Sequence, residues 1–162
     1  MTSPMPDVPE ARRRTMAAIR GRNTKPEMVL RRTLHAMGYR FRVHRRNLPG
    51  TPDLVFPGRR AAIQVHGCFW HHHSGCKHAT VPSTRREYWS AKLERNVERD
   101  RESAARLEGM GWRLLVVWEC ELAQPAAAAA RAADFLGPPG AAAHPYPGDS
   151  EAPQSGREDT HA

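Results

Sequence analysis

The sequence predicts an α/β fold in which a mixed sheet is flanked by helices. Three observations carry that expectation. A helix-start signal at Thr24–Glu27 precedes several short strand-like runs. A long amphipathic segment then covers Glu87 to Gly109, and an uninterrupted apolar run, Leu114 to Trp118, follows it. The coarse order is α-β-β-β-α-β, and 162 residues suit one domain around a single core.

Each element has its own signal. Residues 1–10 hold Pro4, Pro6 and Pro9 and are expected to be disordered. Thr15 to Ile19 can form a short helix. Thr24-Lys25-Pro26-Glu27 has the form of a capping box with proline in the first turn; it predicts a helix to Met37, stopped by Gly38, with Leu30, Leu34 and Met37 as its apolar stripe. Tyr39 to Val43 alternates as a half-buried strand does. Leu48 to Pro52 is a turn, and Asp53–Phe56 and Ala61–His66, separated by Pro57-Gly58, read as a hairpin or meander. In the long helix, Trp89, Leu93, Val97, Ala104 and Leu107 recur at helical spacing, and Gly109 or Gly111 ends it. Arg113 to Trp118 reads as a strand buried on both faces. The alanine run 126–130 suggests a last short helix. Beyond Gly137 the acidic Pro/Gly/Ala-rich segment is too poor in apolar side chains to build a core.

Composition excludes several classes. The longest apolar run is far below the ~18 residues of a membrane span. No apolar signal-peptide core opens the chain, and three cysteines cannot all pair internally, so a reducing cytoplasm is expected. The net charge is +8, and residues 11–46 carry twelve Lys or Arg, Arg12, Arg13, Arg14, Arg20 and Arg22 among them, against the single acid Glu27. Positive charge concentrated in this way points to a nucleic acid, bound with release of counterions.

Cys68-Phe-Trp-His71-His72-His73-Ser-Gly-Cys76 gathers two thiols and three imidazoles into nine residues, and Cys120 closes the apolar strand. Cys68, His73, Cys76 and Cys120 would give a closed S3N zinc site that pins the loop to the strand end, with His71, His72 and His78 as competing imidazoles. Asp53, opening one strand beside the end of its neighbour, is a workable Mg²⁺ carboxylate when a backbone carbonyl helps, and His66 and His71 can serve as general base or acid. Asp100 falls on the apolar face of its helix and needs a partner, for which His66 is the expected one. Glu27 lies on the core side of its helix, where the capping box alone also accounts for it. Phe69 and Trp70 are either core residues or a wedge between base pairs.

Several blocks together resemble the very-short-patch repair endonucleases: Leu48-Pro-Gly-Thr-Pro-Asp53, His66-Gly-Cys-Phe-Trp-His-His-His73, Val81-Pro-Ser-Thr84, Asn96-Val-Glu-Arg-Asp-Arg101 and Gly111-Trp-Arg-Leu-Leu-Val-Val-Trp-Glu-Cys120. The resemblance covers about residues 11–122. It implies a restriction-endonuclease-like fold with an endonuclease domain at 11–123 and a largely disordered tail at 124–162. It implies Mg²⁺ at Asp53 and the main-chain carbonyl of Val65, with His66, His71, Asp100 and Glu27 at the scissile phosphate. Cys68, His73, Cys76 and Cys120 would hold structural Zn²⁺, and Met16, Phe69 and Trp70 would wedge into the duplex. The implied reaction is a single-strand nick 5′ to the thymine of a T·G mismatch formed by 5-methylcytosine deamination. The implied setting is a monomer acting on nucleoid DNA, with mismatch-repair proteins and a repair polymerase as further partners. Two other readings remain: a zinc-stapled DNA-binding module without catalysis, and a nickase of the same fold with another mismatch preference.

Overall fold

The structure, a computed structural model, describes residues 23–140. The short helix expected at 15–19, the wedge residue Met16, the arm residues Arg12, Arg13, Arg14, Arg20 and Arg22, and the chain after residue 140 lie outside the described residues.

Helix α1 (Lys25–Ala36) starts as the sequence predicts: Thr24 Oγ1 accepts the Glu27 N–H at 3.4 Å, with Pro26 in the first turn. The reciprocal bond is displaced by one residue, since Glu27 Oε2 accepts the N–H of Asn23 at 3.0 Å. Gly38, at φ +98°, follows the helix end as its left-handed stop. Leu30 and Leu34 are fully buried, whereas Met37 caps the helix and is 40% exposed, so the apolar stripe is one residue shorter than expected.

Strand β1 is only Arg42–Val43, although Tyr39 and Phe41 ahead of it still pack edge-on against Phe56. It pairs antiparallel with β2 (Leu54–Phe56), and β2 pairs antiparallel with β3 (Ala61–His66) through a tight turn at Pro57–Arg59, with Leu54 opposite Ile63. β4 (Arg113–Trp118) runs parallel to β3 and places Trp118 opposite His66. The order β1-β2-β3-β4 makes β4 an edge strand, and only Val117 of its six residues is buried, with Arg113 exposed and the others partly buried, which corrects the expectation that it is buried on both faces. β3 is the doubly covered strand, with five of its six residues buried. β4 reads as continuously apolar because helix and turn segments shield it. Its free edge is blunted by Arg131, which donates to Val116 O at 3.1 Å and to Glu121 Oε1 at 2.6 Å.

Strand alternation divides the core into two layers. On one face Leu54, Phe56, Ala61 and Ile63 pack with Leu30 and Leu34 of α1 and with the last helix. On the other, Val55 and Ala62 pack with Leu48, Trp112 and Leu107 of α2 (Arg86–Gly109), the long helix expected from the sequence. The last helix, α3 (Pro125–Leu136), moves the tail boundary: Ala128, Ala129, Ala132 and Leu136 are core residues, so the folded unit runs past residue 123 to the end of this helix. Alanines supply little apolar area each, but their size allows a close approach to α1. Side chains satisfy the final carbonyls of α3: Arg113 donates to Phe135 O, Arg59 to Leu136 O and Tyr39 to Gly137 O, at 2.7, 2.7 and 2.6 Å. Among the described residues, no helix is long and apolar enough to cross a membrane.

Candidate active site and metal centre

One end of the sheet collects the polar side chains. Asp53 leads into β2 there, β3 ends there with His66, and the chain leaving β3 enters the Cys68–Cys76 loop. The first turn of α1 brings Glu27 to the same end, and α2 brings Asp100.

Asp53 Oδ2 accepts the Val65 N–H at 2.7 Å. The N–H and C=O of a strand residue point toward the same neighbour, so the Val65 carbonyl opens toward the Asp53 side as well. Glu27, only 1% exposed, binds Asn23 N–H, Arg31 Nη1 at 3.4 Å and His44 Nε2 at 2.7 Å. His44 also lies 4.0 Å from Asp53 Oδ1. Burial, reinforced by the Glu27 charge, pushes the Asp53 carboxyl up to about 6, against the opposing pull of the Val65 N–H and of His44 and His71. A carboxylate so short of positive charge, within 4.8 Å of a second carboxylate and an imidazole, is a donor set that fits a divalent cation.

Beside it, the rings of His66 and His71 stack at 3.8 Å between centroids and 9° between planes. Asp100 Oδ2 lies 2.6 Å from His71 Nδ1. The acid on the apolar face of α2 therefore pairs with His71, not with His66 as the sequence suggested. A carboxylate accepts, so Nδ1 of His71 carries the proton and Nε2 is the free nitrogen. His66 is held from its other side: the Gln64 amide donates to Gly50 O at 3.2 Å, which turns its Oε1 toward His66 Nε2 at 3.1 Å. Gly50 has to be glycine here, since its φ is +75° and a Cβ would lie 2.8 Å from Gln64 Nε2. Burial, and secondarily the His71 charge, lower the His66 imidazole to about 4, so this ring is neutral at pH 7.

The cysteine loop brings together the expected tetrad. Cys68, His73, Cys76 and Cys120 offer ligand atoms all within 4.8 Å of one another, with His73 Nδ1 3.5 Å from Cys120 Sγ. Among the histidines, the geometry brings His73 to the three thiols: His71 turns to Asp100, His72 lines a surface cavity with Val81 and Leu93, and His78 lies in the turn Lys77–Ala79. His73 stacks flat on Trp118 at 4.1 Å, which fixes its ring plane. Burial pushes the Cys68 thiol up to about 12, while the His78 N–H pulls Cys76 down. Three thiols and one imidazole at this separation fit tetrahedral Zn²⁺, which displaces the thiol protons.

Between the two centres, Phe69 and Trp70 are half-buried and meet Trp89 edge-on at 5.5 and 6.2 Å. Asn96 ties down Trp70 O at 3.0 Å, and Lys92 lies over the Trp70 and Trp89 rings. The sequence reading missed His44, Gln64 and Lys92. For His44 the local text Val43-His44-Arg45 carries no pattern; only the pairing of β1 with β2 brings it to the carboxylates.

Carboxylates beside a stacked imidazole pair at a sheet end, in a strongly cationic chain, define a phosphodiester hydrolase. The family model described as DNA mismatch endonuclease Vsr matches residues 7–78. The chain is 52% identical over 130 residues to the Type II nicking enzyme V.XorIIP of Xanthomonas oryzae, covering 80% of this chain and 95% of that one. It is 49% identical over 111 residues to DNA mismatch endonuclease Vsr of Escherichia coli, covering 68% and 70%, and 46% identical over 124 residues to the Type II nicking enzyme V.NaeI of Lentzea aerocolonigenes, covering 73% of each. The chain belongs to the Vsr family, the very-short-patch repair endonucleases, and is a DNA endonuclease. That sets aside the reading of a binding module without catalysis.

Proposed function

We propose that this endonuclease nicks one strand of duplex DNA 5′ to the thymine of a T·G mismatch left by 5-methylcytosine deamination, and so starts very-short-patch repair. The observation that carries the reading is the Asp100–His71–His66 arrangement at the sheet end that also bears Asp53. Asp100 orients His71 so that Nε2 takes the proton of the attacking water, and the carboxylate offsets the charge that appears on the ring. His66, neutral and stacked on His71, adds no repulsion to that charge and would face the phosphate. A Mg²⁺ ion at Asp53 and the Val65 carbonyl would supply positive charge to the phosphate and the departing oxygen. Glu27 braces this side from within the core.

Zn²⁺ on Cys68, His73, Cys76 and Cys120 has a structural role in this account. It would tie the loop that carries His71, Phe69 and Trp70 to the end of β4, so that the reacting group and the aromatic wedge move as one piece. Phe69 and Trp70, with Met16, would enter the stack beside the mismatch, while Arg12, Arg13, Arg14, Arg20 and Arg22 grip phosphates. The protein would act as a monomer on nucleoid DNA in the bacterial cytoplasm, followed by mismatch-repair proteins and a repair polymerase. A panel of duplexes with T·G, other mismatches and paired controls across different flanking sequences tests this. Mg²⁺-dependent nicking restricted to T·G supports the reading. Equal cutting of another mismatch would overturn the specificity and favour the same-fold alternative.

A further inference from the structure

We propose that His44 is a nitrogen ligand of the divalent cation at Asp53, so that the cation site is a set of two carboxylates and one imidazole, Glu27, His44 and Asp53. The inference rests on the reading of Asp53 as a cation ligand and adds a donor of a different chemical type to it.

Three observations point to His44. Its Nε2 lies 2.7 Å from Glu27 Oε1 and 4.0 Å from Asp53 Oδ1, and the three ligand atoms fall within 4.8 Å of one another. Adjacent ligands of an octahedral ion with bonds of about 2.1 Å lie about 3 Å apart, so a modest contraction about one centre brings all three to bonding distance; ligation takes the tautomer with the proton on Nδ1, the cation replacing the proton that Nε2 shares with Glu27. The backbone of His44 is in the left-handed region at φ +50°, which histidine adopts more readily than most non-glycine residues, and its N–H is anchored on Asp53 O at 3.3 Å. That backbone anchor holds the imidazole beside the very acid it faces. Finally, Glu27 does not require the imidazole as a hydrogen-bond partner, because Asn23 N–H and Arg31 already donate to its two oxygens.

An imidazole donor changes which ions the site prefers. Carboxylate and carbonyl oxygens suit Mg²⁺, whereas a nitrogen ligand favours transition ions. The chain should therefore bind Mn²⁺ more tightly than Mg²⁺, and replacement of His44 should narrow that difference.

The test is pulsed electron paramagnetic resonance of Mn²⁺ added to the zinc-loaded full chain, with Mn²⁺ affinity measured in parallel. His44→Gln keeps an amide donor toward Glu27, and circular dichroism with zinc stoichiometry checks its fold. The expected result is a ¹⁴N coupling on Mn²⁺ in the native chain, converted to ¹⁵N by ¹⁵N-histidine labelling, absent in His44→Gln, with affinity about tenfold weaker or more. Asp53-dependent Mn²⁺ binding without nitrogen coupling, or with coupling that survives His44→Gln, overturns the assignment and leaves the proposed function standing. The labelling experiment on the native chain decides the first point even where the variant does not fold. Unchanged Mn²⁺ binding in Asp53→Asn would instead overturn the cation reading of Asp53 itself.

Discussion

His71 Nδ1 and Asp100 Oδ2 lie 2.6 Å apart, joining a loop held by the cysteine cluster to the middle of helix α2. The bond fixes which imidazole nitrogen carries the proton and leaves Nε2 free. Asp100→Asn keeps the shape but permits the amide to present a donor, which favours the wrong tautomer. The expected outcome is a loss in nicking rate of roughly 10²–10⁴-fold, with mismatch binding unchanged. Single-turnover nicking beside a gel-shift titration checks it. A rate within a few-fold of native would show that Asp100 serves packing alone.

The shifted groups have opposite signs in acid. Asp53, raised from 3.8 to about 6, favours its protonated form in the folded state; its contribution is present below pH 3.8 and lost as pH rises through 6. His66, lowered from 6.5 to about 4, contributes above pH 6.5 and loses that contribution as pH falls through 4. Between pH 4 and 6 the two largely offset each other. Asp53→Asn, without added Mg²⁺, removes one side and should leave a melting temperature that falls on acidification more steeply than the native one. Parallel curves for the two proteins would contradict the burial of these groups.

With Zn²⁺ proposed on the cysteine tetrad, its removal should unfold the loop rather than only slow chemistry, because the metal would take the place of a core there. Chelation or Cys120→Ser should lower the melting temperature and change the near-ultraviolet dichroism of Trp118 and Trp70. Metal-stripped protein that keeps both its melting temperature and its nicking rate would remove zinc from the account.

Truncation separates the fold from the tail. A chain ending at Gly140 should nick as the full chain does. A chain ending at Gln124 should be strongly destabilised, since Leu136 alone is worth about 2–5 kcal/mol as a core leucine. Denaturant unfolding of the two chains decides the boundary.

Which of these features the sequence made legible follows from how local their signals are. The gathering of the cysteine tetrad was readable because three of its side chains sit in one nonapeptide and the fourth closes a strand. The start of α1 was readable because Thr24, Pro26 and Glu27 each have a separate reason to be there. Strand β4 was misread because an apolar run looks the same whether strands or helices cover it. The partner of Asp100 was misassigned because the two imidazoles stack, and no spacing rule distinguishes the inner ring from the outer. The tail boundary was placed too early because alanines carry little hydropathy, although their smallness is what lets α3 pack.

The central claim is that Asp53 works at the phosphate through a divalent cation. The direct measurement is single-turnover nicking of a T·G duplex by Asp53→Ala in Mg²⁺, with zinc content and duplex affinity determined on the same sample. Loss of several kcal/mol of transition-state stabilisation corresponds to about a thousandfold slower nicking, and that is the expected result, with zinc and binding preserved. Nicking at the native rate would contradict the account.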